Sequence, residues 1–355
     1  MNIKIKGYIY HKMNESFLGC HDRYALNIDK LVFAISDGVS RSFFPDIWAE
    51  LPVKEYVSSD NDENFKTNLS SLRKKWFERV KNEVEKPDQK WFVKNMFYNQ
   101  EAAAATFVGL RFNRGNDGKY NTYNAQALGD SFLFFVAEQV DKIESDLNNI
   151  IALSSKNNFE FDNFPDYYIS REGNNKGEEK KIKNENLENG TFYLMTDALA
   201  KWFYNYKDEA IEEINRWKDQ HDFELSVEYL RKKGKLEDDD SAILIIEITN
   251  INTKEVNIED SVTDIRNLIG EEPKQQQGEE PKQQQGEEPK QQQGEEPHTT
   301  TGRRTPYNNR EKNPIQPEKK KTIQKIIWII KIVKKKLKSA HKMDVVLYLL
   351  QVIIQ

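Results

Sequence analysis

Cysteine is almost absent: Cys20 is the one example in 355 residues. That excludes a disulfide scaffold or a thiolate zinc site within a single chain, and a reducing cytoplasm is the simplest compartment. Long apolar runs are missing too. No stretch approaches the eighteen or so residues of a membrane-spanning helix. The first ten residues, MNIKIKGYIY, alternate and are too short for a signal peptide. From Gly270 the octapeptide GEEPKQQQ occurs three times and begins a fourth time at Gly294, with no apolar residue in it. Such a segment cannot bury surface to offset its ordering entropy, so it reads as an extended, solvated tether.

Charge is abundant, at 31% of residues with mean hydropathy −0.82, but unevenly placed. Between Arg310 and Lys342 there are twelve Lys and Arg against two Asp and Glu, in a chain of net charge −5. Ile323, Ile326, Ile327, Ile330, Val333 and Leu337 share one helical face of that segment. It reads as an anchor for an anionic membrane surface or a partner groove. Fold-back onto the acidic body is the competing expectation. Base-stacking aromatics are scarce there beyond Trp328, so no nucleic acid is expected. The domains expected are 1–250 globular, 251–317 linker and 318–355 basic, apolar tail.

Within the first 250 residues, strands are predicted at Lys4–Tyr10, Tyr24–Ile28, Leu31–Ser36, Thr106–Phe112, Tyr123–Leu128, Phe132–Val136, Thr191–Met195 and Ala242–Ile248. Helices are predicted at Asp46–Val57, Phe65–Glu85, Ala198–Tyr206, Asp208–Trp217 and Phe223–Lys233. The two kinds do not alternate strictly, which favours an α+β sandwich of antiparallel sheets flanked by helices.

Four acidic motifs end apolar runs: FAISDG (Asp37, Gly38), ALGDS (Asp130), FYLMTDA (Asp197) and DDDSAILII (Asp238 to Ser241). Converging carboxylates repel and raise one another's pKa. A hard divalent cation such as Mg²⁺ or Mn²⁺ relieves that with oxygen ligands. SDNDEN (59–64) lacks the Gly and terminal Glu spacing of a calcium loop and reads as a helix lead-in. GLRFNRGNDG reads as a hairpin, since no GK(S/T) follows it.

In order and wording these motifs, with GCHDRYAL (Asp22) before them and EAAAATFVGL between, resemble the metal-dependent Ser/Thr protein phosphatases of type 2C over residues 1–250. The resemblance implies a four-layer α-β-β-α sandwich with two or three Mg²⁺ or Mn²⁺ ions at one end. Asp37 would bridge two metals. Asp197 and Asp238 would hold one, with Asp239 as the alternative if the register slips by one. The Gly38 carbonyl and the Asp22 region would hold the other, and Asp130 a third. A metal-bridging hydroxide would attack phosphoserine or phosphothreonine of a phosphoprotein opposed by a Ser/Thr kinase. Localisation would be cytoplasmic, peripheral on the membrane through the tail.

Phe17 stands where the family places a phosphate-gripping Arg, Val39 replaces a His of the turn after Asp37, and Ala198 replaces a Gly. Arg41 and Arg23 are the candidates for the missing grip, and His21 a minor candidate proton donor. Ala198 requires a backbone that avoids left-handed φ. The rival expectation is a pseudophosphatase: the same fold binding a phosphopeptide or partner without turnover.

Overall fold

A computed structural model describes residues 1–62, 65, 68–138, 150–155, 166–173 and 175–271. The tail and the repeats lie outside the described residues, as do all expectations placed on them. The strands, in chain order, are β1 (Asn2–Tyr10), β2 (Arg23–Asn27), β3 (Val32–Ser36), β4 (Ala104–Ala105), β5 (Phe107–Arg114), β6 (Tyr120–Leu128) and β7 (Phe132–Ala137). They continue as β8 (Ile150–Leu153), β9 (Tyr168–Ile169), β10 (Lys180–Asn186), β11 (Gly190–Met195), β12 (Ser241–Thr249) and β13 (Asn257–Val262). The helices are α1 (Pro45–Ser58), α2 (Leu69–Val84), α3 (Trp91–Tyr98), α4 (Asp197–Tyr206), α5 (Asp208–Ile214), α6 (Gln220–Lys232) and α7 (Ile265–Glu271).

Two sheets face each other. One has the order β13-β1-β12-β11-β7-β8 and the other β10-β6-β5-β3-β2. The alternation of side chains along each strand builds three apolar layers. Along β12, Leu244, Ile246 and Ile248 enter the core between the sheets, while Ile243 and Ile245 enter the layer under α4, α5 and α6. Along β3, Phe33 and Ile35 face the central core, and Val32 and Ala34 pack with Trp48, Tyr56 and Trp76 of α1 and α2. Both faces of these strands are covered, which is why they read as continuous apolar runs. The architecture is the expected four-layer α-β-β-α sandwich.

All eight predicted strands and five predicted helices form, with shifted ends. The last predicted helix begins three residues early, at Gln220, because Asp219 caps it by accepting the Asp222 N–H (3.0 Å). GLRFNRGNDG does form the β5–β6 hairpin. The sheets are antiparallel with one exception, β13 beside β1. The chain reverses at Asn250 (φ 56°) after β12. Since β12 is antiparallel to β1, a strand that turns back and passes to the far side of β1 must run with it. The Asn257 N–H donates to the Met1 carbonyl (3.0 Å) as it does so.

The folded body therefore continues past residue 250, where the linker was expected to begin. The hydroxyl of Tyr24 on β2 donates to the Thr263 carbonyl, which ties this extension to the second sheet. A chain ending at residue 250 should melt several degrees below one ending at 271, by roughly 1–3 kcal/mol of lost edge pairing and packing. Parallel thermal melts of the two truncations check this. No helix among the described residues is long and apolar enough to cross a membrane.

Candidate metal centre

Five loops converge at one end of the sandwich. β3 delivers Asp37, whose backbone is pinned on both sides by Thr106. The Thr106 N–H donates to the Asp37 carbonyl (2.9 Å), and the Asp37 N–H donates to Thr106 Oγ1 (3.2 Å). The Ser36 hydroxyl donates to the Thr106 carbonyl (2.6 Å), and Thr106 Oγ1 shares a hydrogen bond with Ser131 Oγ (2.6 Å). These buried hydroxyls couple the Asp37 loop to the β6–β7 turn that carries Asp130. That turn depends on Gly129 at φ +106°, where a Cβ would meet Thr106 Cβ at 2.6 Å.

Gly38 is required for a different reason. A Cβ there would meet three backbone atoms: Pro45 O at 2.8 Å, Pro45 C at 2.9 Å and His21 O at 3.0 Å. Backbone yields less readily than a side chain, so Gly38→Ala should cost about 1–3 kcal/mol. Urea unfolding midpoints of the two proteins measure it.

Asp197 opens α4, and the Ala198 N–H donates to its Oδ1 (2.6 Å). Ala198 is helical and not among the positive-φ residues, as its side chain requires. A helix N-terminus favours the charged carboxylate. Here burial, then the charges of Asp130 and Asp239, outweigh that bond and push Asp197 up to about 8. Burial first, then Asp22 and Asp197, push Asp37 well above the usual carboxylate range. The same holds for Asp22, through burial, then Asp240 and Asp197. Asp22 is 1% exposed; neither carboxylate oxygen makes a well-formed hydrogen bond among the described residues, and the nearby Thr196 hydroxyl offsets only part of the shift.

The triple Asp at the entry to β12 divides into three roles. Asp240 is a clamp: its carboxylate accepts the N–H groups of Lys12 (3.0 Å) and His21 (2.7 Å). Asp238, with a side chain 42% exposed, accepts the Met13 N–H (2.8 Å) and lies 3.9 Å from Arg231 Nε. The charge of Asp239 bears on Asp37 and Asp197, whereas at Asp22 the charge of Asp240 comes before it. The structure thus brings Asp22, Asp37, Asp130, Asp197 and the Asp238–Asp240 run to one end of the sandwich; Asp238 and Asp239 are both half exposed, at 42% and 46% of their side chains, and Asp240 is buried. Arg231 on α6 holds this run in place. It donates to the Asp239 carbonyl, to Ser241 Oγ (3.1 Å) and to His11 O (2.8 Å).

The donor set is all oxygen and strongly like-charged, half exposed at Asp239 and almost wholly buried at Asp22. That chemistry fits a hard divalent cation. As placed, no three Asp, Glu, His or Cys side chains among the described residues stand together at ligand spacing. They are near enough to raise one another's pKa.

The two arginines singled out from the sequence sit in different surroundings. Arg23 is occupied: its Nη1 donates to Cys20 O (2.7 Å) and Asp22 O (2.6 Å), and its Nη2 lies 3.5 Å from Asp46. It braces the Asp22 loop and is not a free phosphate ligand. Arg41 is exposed. The cation that does reach the cluster is Lys12, which the sequence reading passed over. Its Nζ donates to Ser40 Oγ (3.0 Å) and lies 3.3 Å from Asp239 Oδ1. Burial disfavours its charge, but Asp239 and Asp240 more than compensate, so its pKa lies above the usual value. His21 Nδ1 sits 3.3 Å from the same Ser40 Oγ and 3.9 Å from Asp240. One ring nitrogen faces both groups, so this is not a nucleophile triad, which needs opposite nitrogens. Cys20 is fully buried, and burial pushes its thiol up.

A separate groove of about 500 Å³ beside α5 is lined by Lys4, Glu138, Gly190, Glu212 and Thr249. Gly190 and Thr249 lie at the strand ends opposite the carboxylates, roughly 23–33 Å away along the strands at about 3.3 Å per residue.

No protein-family profile and no curated protein matches the chain. Among solved structures, it is similar to serine/threonine phosphatase Stp1 from Staphylococcus aureus, at 11% identity over 69% of this chain and 95% of that one, with a TM-score of 0.45. It is also similar to PppA, a key regulatory component of T6SS in Pseudomonas aeruginosa (14% identity, 70% of this chain, 98% of that one, TM-score 0.43). A third is RsbX in complex with magnesium (12% identity, 68% of this chain, 94% of that one, TM-score 0.38).

Proposed function

We propose that residues 1–271 form a metal-dependent phosphatase acting on phosphoserine or phosphothreonine in proteins. The observation that carries this is the gathering of Asp22, Asp37, Asp130, Asp197 and Asp239 at one end of the sandwich, on loops held by hydrogen bonds from Thr106, Ser155, Asp240 and Arg231. The order of the acidic motifs along the sequence supports the same reading. Divalent cations held there supply a water of lowered pKa and neutralise phosphate charge. Asp37, Asp197 and Asp239 are the residues that would hold them, with Asp22 and Asp130 beside. The Thr106 and Ser131 hydroxyls keep Asp37 and Asp130 in register. Lys12, at the rim, meets the negative phosphate as it enters and orients it. Nothing in this scheme requires a protein nucleophile, in keeping with a buried, protonated Cys20.

Hydrolysis of p-nitrophenyl phosphate in Mn²⁺ by the wild type, abolished in Asp37→Asn, tests the reading. Removal of the rim charge should act on binding before turnover. Lys12→Met should raise KM for a phosphoserine peptide about tenfold, with a smaller change in kcat. Steady-state kinetics separate the two constants. The engagement of Arg23 with Asp46 favours one alternative, a domain that holds phosphopeptide without turning it over. Wild type inactive with Mg²⁺, Mn²⁺ and other divalent metals, yet binding phosphopeptide, would establish that alternative.

A further inference from the structure

Most of the bulk of α3 faces water. Successive residues of a helix are turned by about 100°, so Trp91, Lys94, Asn95 and Tyr98 share one side of it. Val93, Met96 and Phe97 share the other and pack toward the body. The Phe97 ring stacks on Phe77 of α2 at 5.3 Å. Trp91 is 78% exposed, Tyr98 73% and Phe92, at the margin, 45%. Among the described residues no other helix leaves three large aromatic side chains in solvent.

This outward display is fixed by the backbone. The Val93 N–H donates to Lys90 O (3.1 Å) at the start of the helix, and the Asn99 N–H to Asn95 O (2.9 Å) at its end. The Glu101 N–H then donates to Met96 O (3.1 Å), and Arg171 Nε donates to the Glu101 carbonyl (2.9 Å). Both ends of α3 are thus closed, and its rings project from a held element.

Scattered apolar residues at a surface need no explanation, but a contiguous patch marks an interaction site. Its chemistry narrows the occupant. Trp and Tyr pair an apolar body with a polar tip and are enriched where a bilayer meets water. Lysine lays its stem along apolar surface and keeps its charge outside it. Lys90 Nζ lies 5.8 Å from the centre of the Phe92 ring, and Lys94 stands between Trp91 and Tyr98 on the helix. Residues 89–100 include no Asp or Glu, and among the described residues neither lysine is ion-paired. Carboxylates do flank the patch. Glu83 and Glu85 are paired with Lys86 (2.6 Å) and Lys81 (3.9 Å). Asp88 and Glu101 stand beyond the two ends of α3, and Glu78 is on α2. The aromatic residues therefore carry the contact, and the two lysines bias it toward an anionic surface. The basic, apolar tail of the same chain reads as an anchor of the same kind, and stable membrane attachment takes two weak elements.

We propose that α3 is a membrane-contact face of the folded body. Trp91, Phe92 and Tyr98 enter the headgroup region of an anionic bilayer, and Lys90 and Lys94 meet its phosphates.

The test uses the full chain and vesicles of equal parts phosphatidylcholine and phosphatidylserine. Of the six tryptophans, Trp48, Trp76, Trp202 and Trp217 are buried and Trp328 lies in the tail. In a Trp328→Phe chain, Trp91 is therefore the tryptophan placed to meet lipid. Brominated lipid should quench part of that chain's emission, and adding Trp91→Phe should remove the quenching. In vesicle sedimentation, Trp91→Ser with Tyr98→Ser should lower the partition coefficient about tenfold. Lys94→Gln should lower it about fivefold, on anionic vesicles alone. Trp91 and Tyr98 lie in solvent, so the melting temperature of the double variant should match the wild type. Vesicle binding without quenching of Trp91 assigns the contact to the tail and overturns the proposal. So does a full chain that ignores vesicles at low salt. Self-association that the double variant abolishes, with no quenching by lipid, overturns it in favour of a second copy of this chain.

Discussion

Millimolar Mn²⁺ or Mg²⁺ should raise the melting temperature of the folded body by about 5–10 °C, and excess chelator should reverse the shift. A ligand at a hundred times its Kd, binding only the native state, adds about 2.7 kcal/mol. In a domain of some 250 residues each kcal/mol is worth about 2–4 °C. The physical origin is specific to this site. Asp22, Asp37 and Asp197 all have folded pKa values above their ordinary ones. For a carboxyl the sign follows directly: a folded pKa above the unfolded one means that the ionised form costs stability at neutral pH. A bound cation removes that cost. Asp22→Asn should therefore behave in two opposite ways. Without metal it should melt above the wild type, by about 1–3 kcal/mol of relieved burial and repulsion. With metal it should show a smaller upward shift than the wild type, and Asp197→Asn should show none. Differential scanning fluorimetry across a metal series, in chelator-treated buffer, reads all three proteins.

Asp37→Asn and Asp239→Asn should each lower Mn²⁺-dependent hydrolysis of p-nitrophenyl phosphate by about a hundredfold or more, while Asp238→Asn lowers it only a few-fold. Loss even of a residue that merely orients a ligand typically costs 10–100-fold, so loss of a ligand sets a higher floor. The contrast between neighbours is the informative part. Asp238 faces Met13 and Arg231, whereas the charge of Asp239 bears on the cluster. The reverse order of effects would place the metal one residue earlier and require the loop before β12 to turn over. Circular dichroism of each variant shows whether lost activity is lost fold.

Three consecutive aspartates carry no local signal about how they divide between solvent and interior. The tertiary fold decides it: Asp240 is buried against the N–H groups of Lys12 and His21, Asp238 and Asp239 stay half exposed, and Arg231, on a helix packed behind the loop, holds the Asp239 carbonyl and Ser241. The same logic explains Arg23, whose identity near Asp22 suggested a phosphate ligand. Its partner Asp46 arrives from α1 and takes it out of play. Lys12 was invisible for a related reason: nothing local distinguishes it from other lysines until β1 and the Asp239 loop meet.

Strands buried on both faces were legible because their apolar content is dense, as along β12 and β3. The edge strands β10 (KKIKNEN) and β13 (NIEDSV) were not, since charged, half-exposed edges lack the alternation that marks a strand. The short α3 (WFVKNMFY) escaped for another reason. Its aromatic and β-branched residues have modest helix propensity, and only Phe97 is buried. Asp22, Asp37, Asp130 and Asp197 were legible because each ends or adjoins a recognisable strand. Fixing their mutual approach required the buried hydroxyls of Ser36, Thr106 and Ser131, which look unremarkable in sequence.

The most direct measurement is anomalous diffraction at the manganese edge from crystals of the folded body soaked in Mn²⁺. At least two anomalous peaks should appear at the end of the sandwich, within about 2.0–2.4 Å of carboxylate oxygens, with Asp37 touching both and Asp197 and Asp239 touching one. A crystal soaked at millimolar Mn²⁺ with no peak among these carboxylates would contradict the metal centre itself.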